Sequence, residues 1–302
     1  MLPLSPAVAG DIAFVTSQNG DAVSVVDLET RRIVAQAPLP GGPAPVAYDP
    51  QTGRAYVIAA GTGRLSVLDT DARILAGADL GEGAFGLAAA PGGGVFVTDW
   101  YGGRLLRLDA GLRPLWQAVT GAAPAGVAVS EDGALVATAD RDADAVSLFD
   151  AETGRLLHRV ATAGEHPFAV TFHDGRLWSA DVLGNRVSVI DPAAGRLTGQ
   201  VPTGSHPYGI AFAGGRGFVT NQYAGTVTVF DPDTLAVLAE VEVGDYPEGI
   251  APLSDGSGVV VANWDSDEIV ILDAAGLTVS AGIDMPAGPR AFGRFTGPRP
   301  EN

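Results

Sequence analysis

The sequence predicts an all-β chain, with seven units of four short antiparallel strands set in a ring that its two ends close together. Three observations predict it. Gly and Pro number 41 and 21 of 302 residues, about a fifth of the chain, against roughly 12% in average usage. Hydrophobic residues reach 46%, ample for a core, yet no stretch sustains the 3.6-residue period of an amphipathic helix. Two landmarks also recur in register seven times.

The first landmark is an apolar run ending in Asp: VSVVD at Asp27, LSVLD at Asp69, LLRLD at Asp109, VSLFD at Asp150, VSVID at Asp191, VTVFD at Asp231 and IVILD at Asp273. The spacings are 42, 40, 41, 41, 40 and 42 residues. The second lies ten residues earlier, where another strand-like run ends at Ser17, Ala59, Asp99, Asp140, Asp181, Asn221 and Asn263. Within one unit, PYGIAF, GFVT, TVTVF and AVLAEVEV read as four strands, separated by Gly214-Gly215, Tyr223-Ala224-Gly225 and Asp231-Pro232-Asp233. Four strands per 40 to 42 residues is the blade period of a propeller. The chain opens in a second strand (IAFVTS) and ends in a first strand, Arg290 to Phe295. The C-terminus is therefore expected to complete the N-terminal blade and remove an open sheet edge. The propeller is expected over 10–296, with a flexible tail at 297–302.

Composition bounds the function. With 35 acidic and 18 basic residues the formal charge is −17, unsuited to gripping nucleic acid or anionic lipid. No apolar stretch reaches the 18 or more residues of a membrane span, so no membrane insertion is expected, and a monomer is. The absence of cysteine excludes disulfides, Fe–S clusters, thiol nucleophiles and covalent c-type haem. All the basic residues are arginine, which excludes Schiff-base and phosphate-loop lysines. Ala7-Val8-Ala9 after an apolar Leu2 to Val8 has the form of a signal-peptidase site. Export to the periplasm or beyond is the expectation, with residues 1–9 a signal remnant or a loose N-terminus.

FVTN at 218–221, VFVTD at 95–99, the V-x-V-x-D runs and the HPYGIAF and YPEGIAP segments resemble YVTN-type seven-bladed propeller repeats over about 12–296. The resemblance implies fold more than activity. That family includes surface-layer proteins, proteins linked to quinone-dependent oxidation, and domains of larger redox enzymes. The nearby virginiamycin-lyase-like propellers use a metal at the mouth of the ring, and their ligand set is not matched here. Function therefore has to be argued from a site.

Strand parity places the site. Loops after the second and fourth strands of every blade share one face; the other face carries ordinary Asp-Gly and Gly-Gly turns. Just before each first strand the sequence reads Ala44, Ala84, Ala123, His166, His206, Tyr246 and Gly288, and just inside it Val46, Gly86, Ala125, Phe168, Tyr208, Glu248 and Arg290. The later blades concentrate imidazoles, rings and charges, so one off-centre pocket is expected there, with Trp100 and Trp264 on its rim. Neutral imidazole is a common metal ligand. His166 and His206 are thus candidate ligands for one divalent metal, Zn²⁺ or Cu²⁺, with Glu248 or Asp181 as the third. Against this, the Asp or Asn ending each second strand suits a turn-bonding role, and Glu248 and Arg290 suit a simple pair. There is no G-x-S-x-G and no spaced metal motif.

Three readings follow. The first is an exported, non-catalytic binding or scaffold propeller that presents the mouth face to a small molecule or protein. The second is a metal-assisted lyase or hydrolase using His166, His206 and Glu248. The third is an accessory of a periplasmic quinone-linked redox system, docking through its acidic surface onto a basic partner.

Overall fold

The computed structural model describes residues 10–300, so the expected signal remnant at 1–9 lies outside the described residues. Seven four-stranded antiparallel sheets form the ring, numbered here as blades 1 to 7. Blade 1 combines Thr296–Pro298 with Asp11–Ser17, Ala22–Asp27 and Arg32–Pro38. Blade 2 follows as Pro43–Asp49, Arg54–Ala59, Arg64–Leu68 and Ile74–Asp79, and the pattern repeats through blade 7, whose strands are Pro247–Pro252, Gly258–Asn263, Glu268–Asp273 and Ile283–Asp284. The only helical piece among the described residues is a single 3-10 turn, Arg141–Ala143, and no helix is long and apolar enough to cross a membrane.

Blade stacking explains the sequence pattern. A second or third strand is covered on both faces by neighbouring blades, so DIAFVTS and AVSVVD are buried almost throughout. Such strands read as continuous apolar runs. The fourth strands face solvent, as in RIVAQAP, and are largely exposed instead. Each Asp at the end of a third strand starts a turn: Asp27 accepts from the Thr30 amide at 2.7 Å, and Asp109 from the Gly111 and Arg113 amides at 2.8 Å.

The threonine of the F-V-T runs bonds one blade to the next. Thr98 Oγ1 accepts the amide of Gly86 in its own blade and donates to the carbonyl of Ala125 in the following one, both at 2.7 Å. Thr220 does the same between Gly209 and Glu248, and Thr16 between Ala291 and Ala44. The next blade's backbone passes so close that a Cβ at Gly86 would collide with the carbonyl of Ala125. Thr98→Val, nearly the same size, should leave a buried amide and a buried carbonyl without partners. At about 1–3 kcal/mol for each such group, denaturant unfolding is expected to show a loss of at least ~2 kcal/mol. An unchanged midpoint would remove the inter-blade role.

The C-terminus does close the ring, through a different segment from the one expected. The ladder pairs Thr296, Gly297 and Pro298 with Ala13, Ile12 and Asp11, running into the stretch the sequence assigned to a tail. Arg290 to Phe295 meets blade 1 toward its ends, where Arg290 donates its amide to the Thr16 carbonyl (2.9 Å), Ala291 donates to Thr16 Oγ1, and the Phe14 amide donates to the Phe295 carbonyl (2.8 Å). Between these points Ala291 and Gly293 take positive φ, and the chain swings toward blade 2. There the Val46 and Tyr48 amides donate to the carbonyls of Phe292 and Arg294 at 3.0 and 2.7 Å. The closing segment thus joins blade 1 to blade 2 as well as completing blade 1.

Candidate functional site at the channel mouth

Pairing sets the true equivalences around the mouth. The residue opposite the end of each second strand is Pro43, Ala84, Pro124, Pro167, Pro207, Pro247 or Pro289. The preceding positions are therefore Gly42, Gly83, Ala123, His166, His206, Tyr246 and Gly288, and the following ones Ala44, Phe85, Ala125, Phe168, Tyr208, Glu248 and Arg290. The sequence reading was in register for the last five blades and slipped in blades 2 and 3. Blade 2 has two prolines, Pro43 and Pro45, and blade 3 has none at this place, so proline misled there. Blade 3 consequently contributes Phe85, an aromatic that the sequence reading overlooked.

The centre of the mouth is filled. Ala125, Phe168 and Tyr208 are buried there, with Phe85, Trp100, Val182 and Phe292 packed against them. Phe168 stacks on Tyr208 with centroids 4.1 Å apart, and Phe85 lies 5.2 Å from Phe292 and 5.1 Å from Trp100. The centre of the mouth is thus an aromatic floor. Two surface depressions lie outside this floor. One of about 490 Å³ is bounded by Asp144, Gly164, Leu183 and Arg186 at the tips of blades 4 and 5, and one of about 480 Å³ by Arg176, Asp191 and Asp233 lies on the opposite face.

Beside that floor sits a charged network. Arg290 grips Glu248 with two N–H groups, donates to Tyr208 Oη at 2.8 Å, and donates to Gln18 Oε1 at 2.9 Å. Gln222 also donates to Glu248 Oε1, which it shares with Arg290. The Glu248 side chain is 2% exposed and that of Arg290 20%. Burial pushes the Glu248 carboxyl above the usual carboxylate range, and Arg290 pulls it back. Burial opposes the charge on Arg290, but Tyr208 and Glu248 outweigh it and keep the guanidinium protonated. Burial raises the Tyr208 phenol, which stays neutral. The pairing considered from sequence is therefore the arrangement found, and Gln18 and Gln222 complete it.

The rim carries a second set of rings. His206 stacks on Tyr223 at 3.8 Å, Tyr223 lies 5.3 Å from Tyr246, and Tyr246 lies 5.8 Å from Trp264. Tyr223, which the sequence reading did not single out as a site residue, is 57% exposed. Blade 2 presents Gly41, Gly42, Ala60 and Gly61 on the same face.

His166 and His206 both reach this face, but their surroundings differ. His206 Nδ1 is 2.9 Å from Ser205 Oγ, whereas His166 Nδ1 is buried without a hydrogen-bond partner. Neither expected third ligand is free. Glu248 is held by Arg290 and Gln222, and Asp181 accepts from Ser179, Ser188 and the Gly164 amide at 3.0, 2.6 and 3.1 Å. Among the described residues no three His, Asp or Glu side chains converge as a metal cage. Asp181, with Asp140, instead fastens the entry loop of its blade.

Burial pushes the Asp181 carboxyl from 3.8 up to about 6. The folded protein then holds this proton more tightly than the unfolded chain, so this contribution to stability is complete below about pH 4 and is lost as pH rises to about 6. Asp181→Asn, matching Asn221 and Asn263 in the next two blades, removes the titration. Its stability relative to the parent is expected to improve from pH 4 to pH 7 by something on the order of 3 kcal/mol. Parallel stability–pH curves for the two proteins would refute the assignment.

The fold and this mouth define the class: a seven-bladed β-propeller, closed by its own C-terminus, with an aromatic and ionic plug in the channel. No protein-family model and no curated protein matches the chain, so the likeness to YVTN-type repeats rests on the motif residues. Solved structures do match. A functionally unknown protein from Desulfotomaculum acetoxidans is 17% identical with a TM-score of 0.78, covering 94% of this chain and 97% of that one. Hydrazine synthase of Kuenenia stuttgartiensis is 16% identical at TM-score 0.74, covering 84% and 90%. A streptogramin B lyase is 17% identical at TM-score 0.72, covering 86% and 92%. Such likeness is one of fold, and the fold serves enzymes as well as other proteins.

Proposed function

We propose that this protein is an exported, non-catalytic binding or scaffold propeller whose mouth face receives a protein or small-molecule partner. The observation that carries this reading is the contrast within that face. The centre is plugged by packed rings and a satisfied ion pair, while Tyr101 and Tyr223 stand 79% and 57% exposed at the tips. Exposed aromatics on a shallow surface suit recognition, in which Tyr and Trp are favoured anchors. A catalytic centre would instead need free acid–base or ligand groups facing a cavity. Export rests on the Ala7-Val8-Ala9 sequence.

Affinity capture in the native host tests this reading, using the parent, a mouth-face variant (Tyr101→Ser/Tyr223→Ser) and an opposite-face variant (Glu131→Gln/Glu152→Gln). A partner retained by the opposite-face variant and lost by the mouth-face variant is expected; the reverse pattern would refute it. The unpartnered His166 ring nitrogen favours the metal-assisted lyase or hydrolase as a second reading. A rise in melting temperature with Zn²⁺ or Cu²⁺ that disappears in His166→Ala/His206→Ala would turn the assignment to that reading. The redox-accessory form of the proposal adds only that the partner is basic.

A further inference from the structure

The internal repeat offers a comparison between equivalent blades. In blade 3 the first residue after the second strand is Trp100, and the guanidinium of Arg141, at the same position in blade 4, lies 5.6 Å from its ring. Arg141 also pairs with the neighbouring Asp142. Aromatic ring, guanidinium and carboxylate thus form a complete set supplied by the chain itself.

Blades 6 and 7 repeat the outer two parts of that set without the middle one. Their equivalent positions hold Gln222 and Trp264, and the entry loops hold His206 and Tyr246. Together with Tyr223 they make the continuous arc of rings described above. Asp245 and Asp265 flank it at one tip, joined where the Asp265 amide donates to the Asp245 carbonyl at 3.3 Å, and both are exposed. Among the described residues, neither carboxylate pairs with an arginine, although eight arginine–carboxylate pairs form elsewhere. Two exposed carboxylates without a counter-charge therefore lie beside these rings, in a chain whose formal charge is −17.

We propose that the arc formed by His206, Tyr223, Tyr246 and Trp264, with Asp245 and Asp265, binds a guanidinium-bearing side chain from an extended basic segment of a protein partner. This deepens the binding reading above and rests on it. A cation over an aromatic face is attracted by the ring's quadrupole, and a guanidinium stacks flat while its N–H groups fork onto a carboxylate. Gly41, Gly42 and Gly61 at the tip of blade 2 put no side chain in the path of a segment crossing the mouth there.

The probe is acetyl-Gly-Arg-Gly-Arg-Gly-amide, titrated at pH 7 and low salt by calorimetry and tryptophan fluorescence, beside the same peptide with citrulline for arginine. Citrulline keeps the planar shape and loses the charge. The arginine peptide is expected to bind at least tenfold more tightly than the citrulline one. Tyr223→Ala/Trp264→Ala and, separately, Asp245→Asn/Asp265→Asn should each weaken it tenfold or more. Melting curves check that both variants fold, and the second alters only exposed carboxylates. Glu131→Gln/Glu152→Gln removes the same charge from the opposite face and should change affinity less than twofold. No binding at millimolar peptide, equal binding of the two peptides, or equal weakening by the opposite-face variant would each overturn the proposal. If the peptide fails while native capture still depends on the mouth face, that face binds by other chemistry and the broader reading stands.

Discussion

Deleting the closing segment, by ending the chain after Asp284, should abolish the cooperative unfolding of the whole ring or lower its midpoint by about 10–20 °C. The expected size follows from what the segment holds. Phe295, Ala291 and Met285 belong to the core shared by blades 7, 1 and 2, and a buried side chain the size of Phe contributes about 1.5–3 kcal/mol. The ladder to Ala13, Ile12 and Asp11 would be lost, as would the bonds to Val46 and Tyr48. Blade 1 would then present an open edge toward the channel, where unpaired backbone groups are costly. For a chain of this size each kcal/mol moves the midpoint by roughly 2–4 °C, so losing about 5 kcal/mol or more gives the stated range. Calorimetry of the purified truncation decides it. A truncated protein that melts with the parent would show that blade 1 is self-sufficient.

The second large effect is expected at the ion pair. Arg290→Met removes the two donors that hold Glu248 and leaves a carboxyl that is 2% exposed without its counter-charge. Breaking a buried pair in this way costs about 3–5 kcal/mol. The variant should also show a steeper pH dependence than the parent, with its sign fixed. Burial already pushes Glu248 above its ordinary value of 4.5, and Arg290 opposes that push. Without Arg290 the folded state holds the proton more tightly than the unfolded chain. Its stability is then best preserved below about pH 4.5 and falls as pH rises toward neutrality. Chemical unfolding at pH 4.5 and pH 8 measures this. The double variant Glu248→Gln/Arg290→Met should recover most of the loss at pH 8. A single variant with the same stability at both pH values would mean that water replaces the guanidinium.

Most of the architecture was legible because it is local and repeated. The Asp ending each third strand and the polar residue ending most second strands fix blade number and strand order, since turn chemistry acts within a few residues. Strand parity likewise puts His166, His206, Tyr246, Glu248 and Arg290 on one face whatever the detailed packing. The misplacements came where a local landmark was doubled or missing, at Pro43 and Pro45 in blade 2 and at Ala84 in blade 3.

What the sequence by itself determined is a seven-bladed ring closed by its C-terminus, with chemistry concentrated on one face of the later blades. Tertiary structure alone decided what that chemistry does. Phe85, Phe168, Tyr208 and Phe292 come from four blades, and only their convergence on one axis fills the centre of the mouth. Glu248 and Arg290 could have faced a ligand; their separation around the ring places them in contact, where two buried charges are most stable paired. The closing strand shifted to Thr296–Pro298 because the chain bends at Ala291 and Gly293 to bond blade 2. These outcomes depend on distances between residues far apart in the chain, and a repeat read one unit at a time carries no measure of such distances.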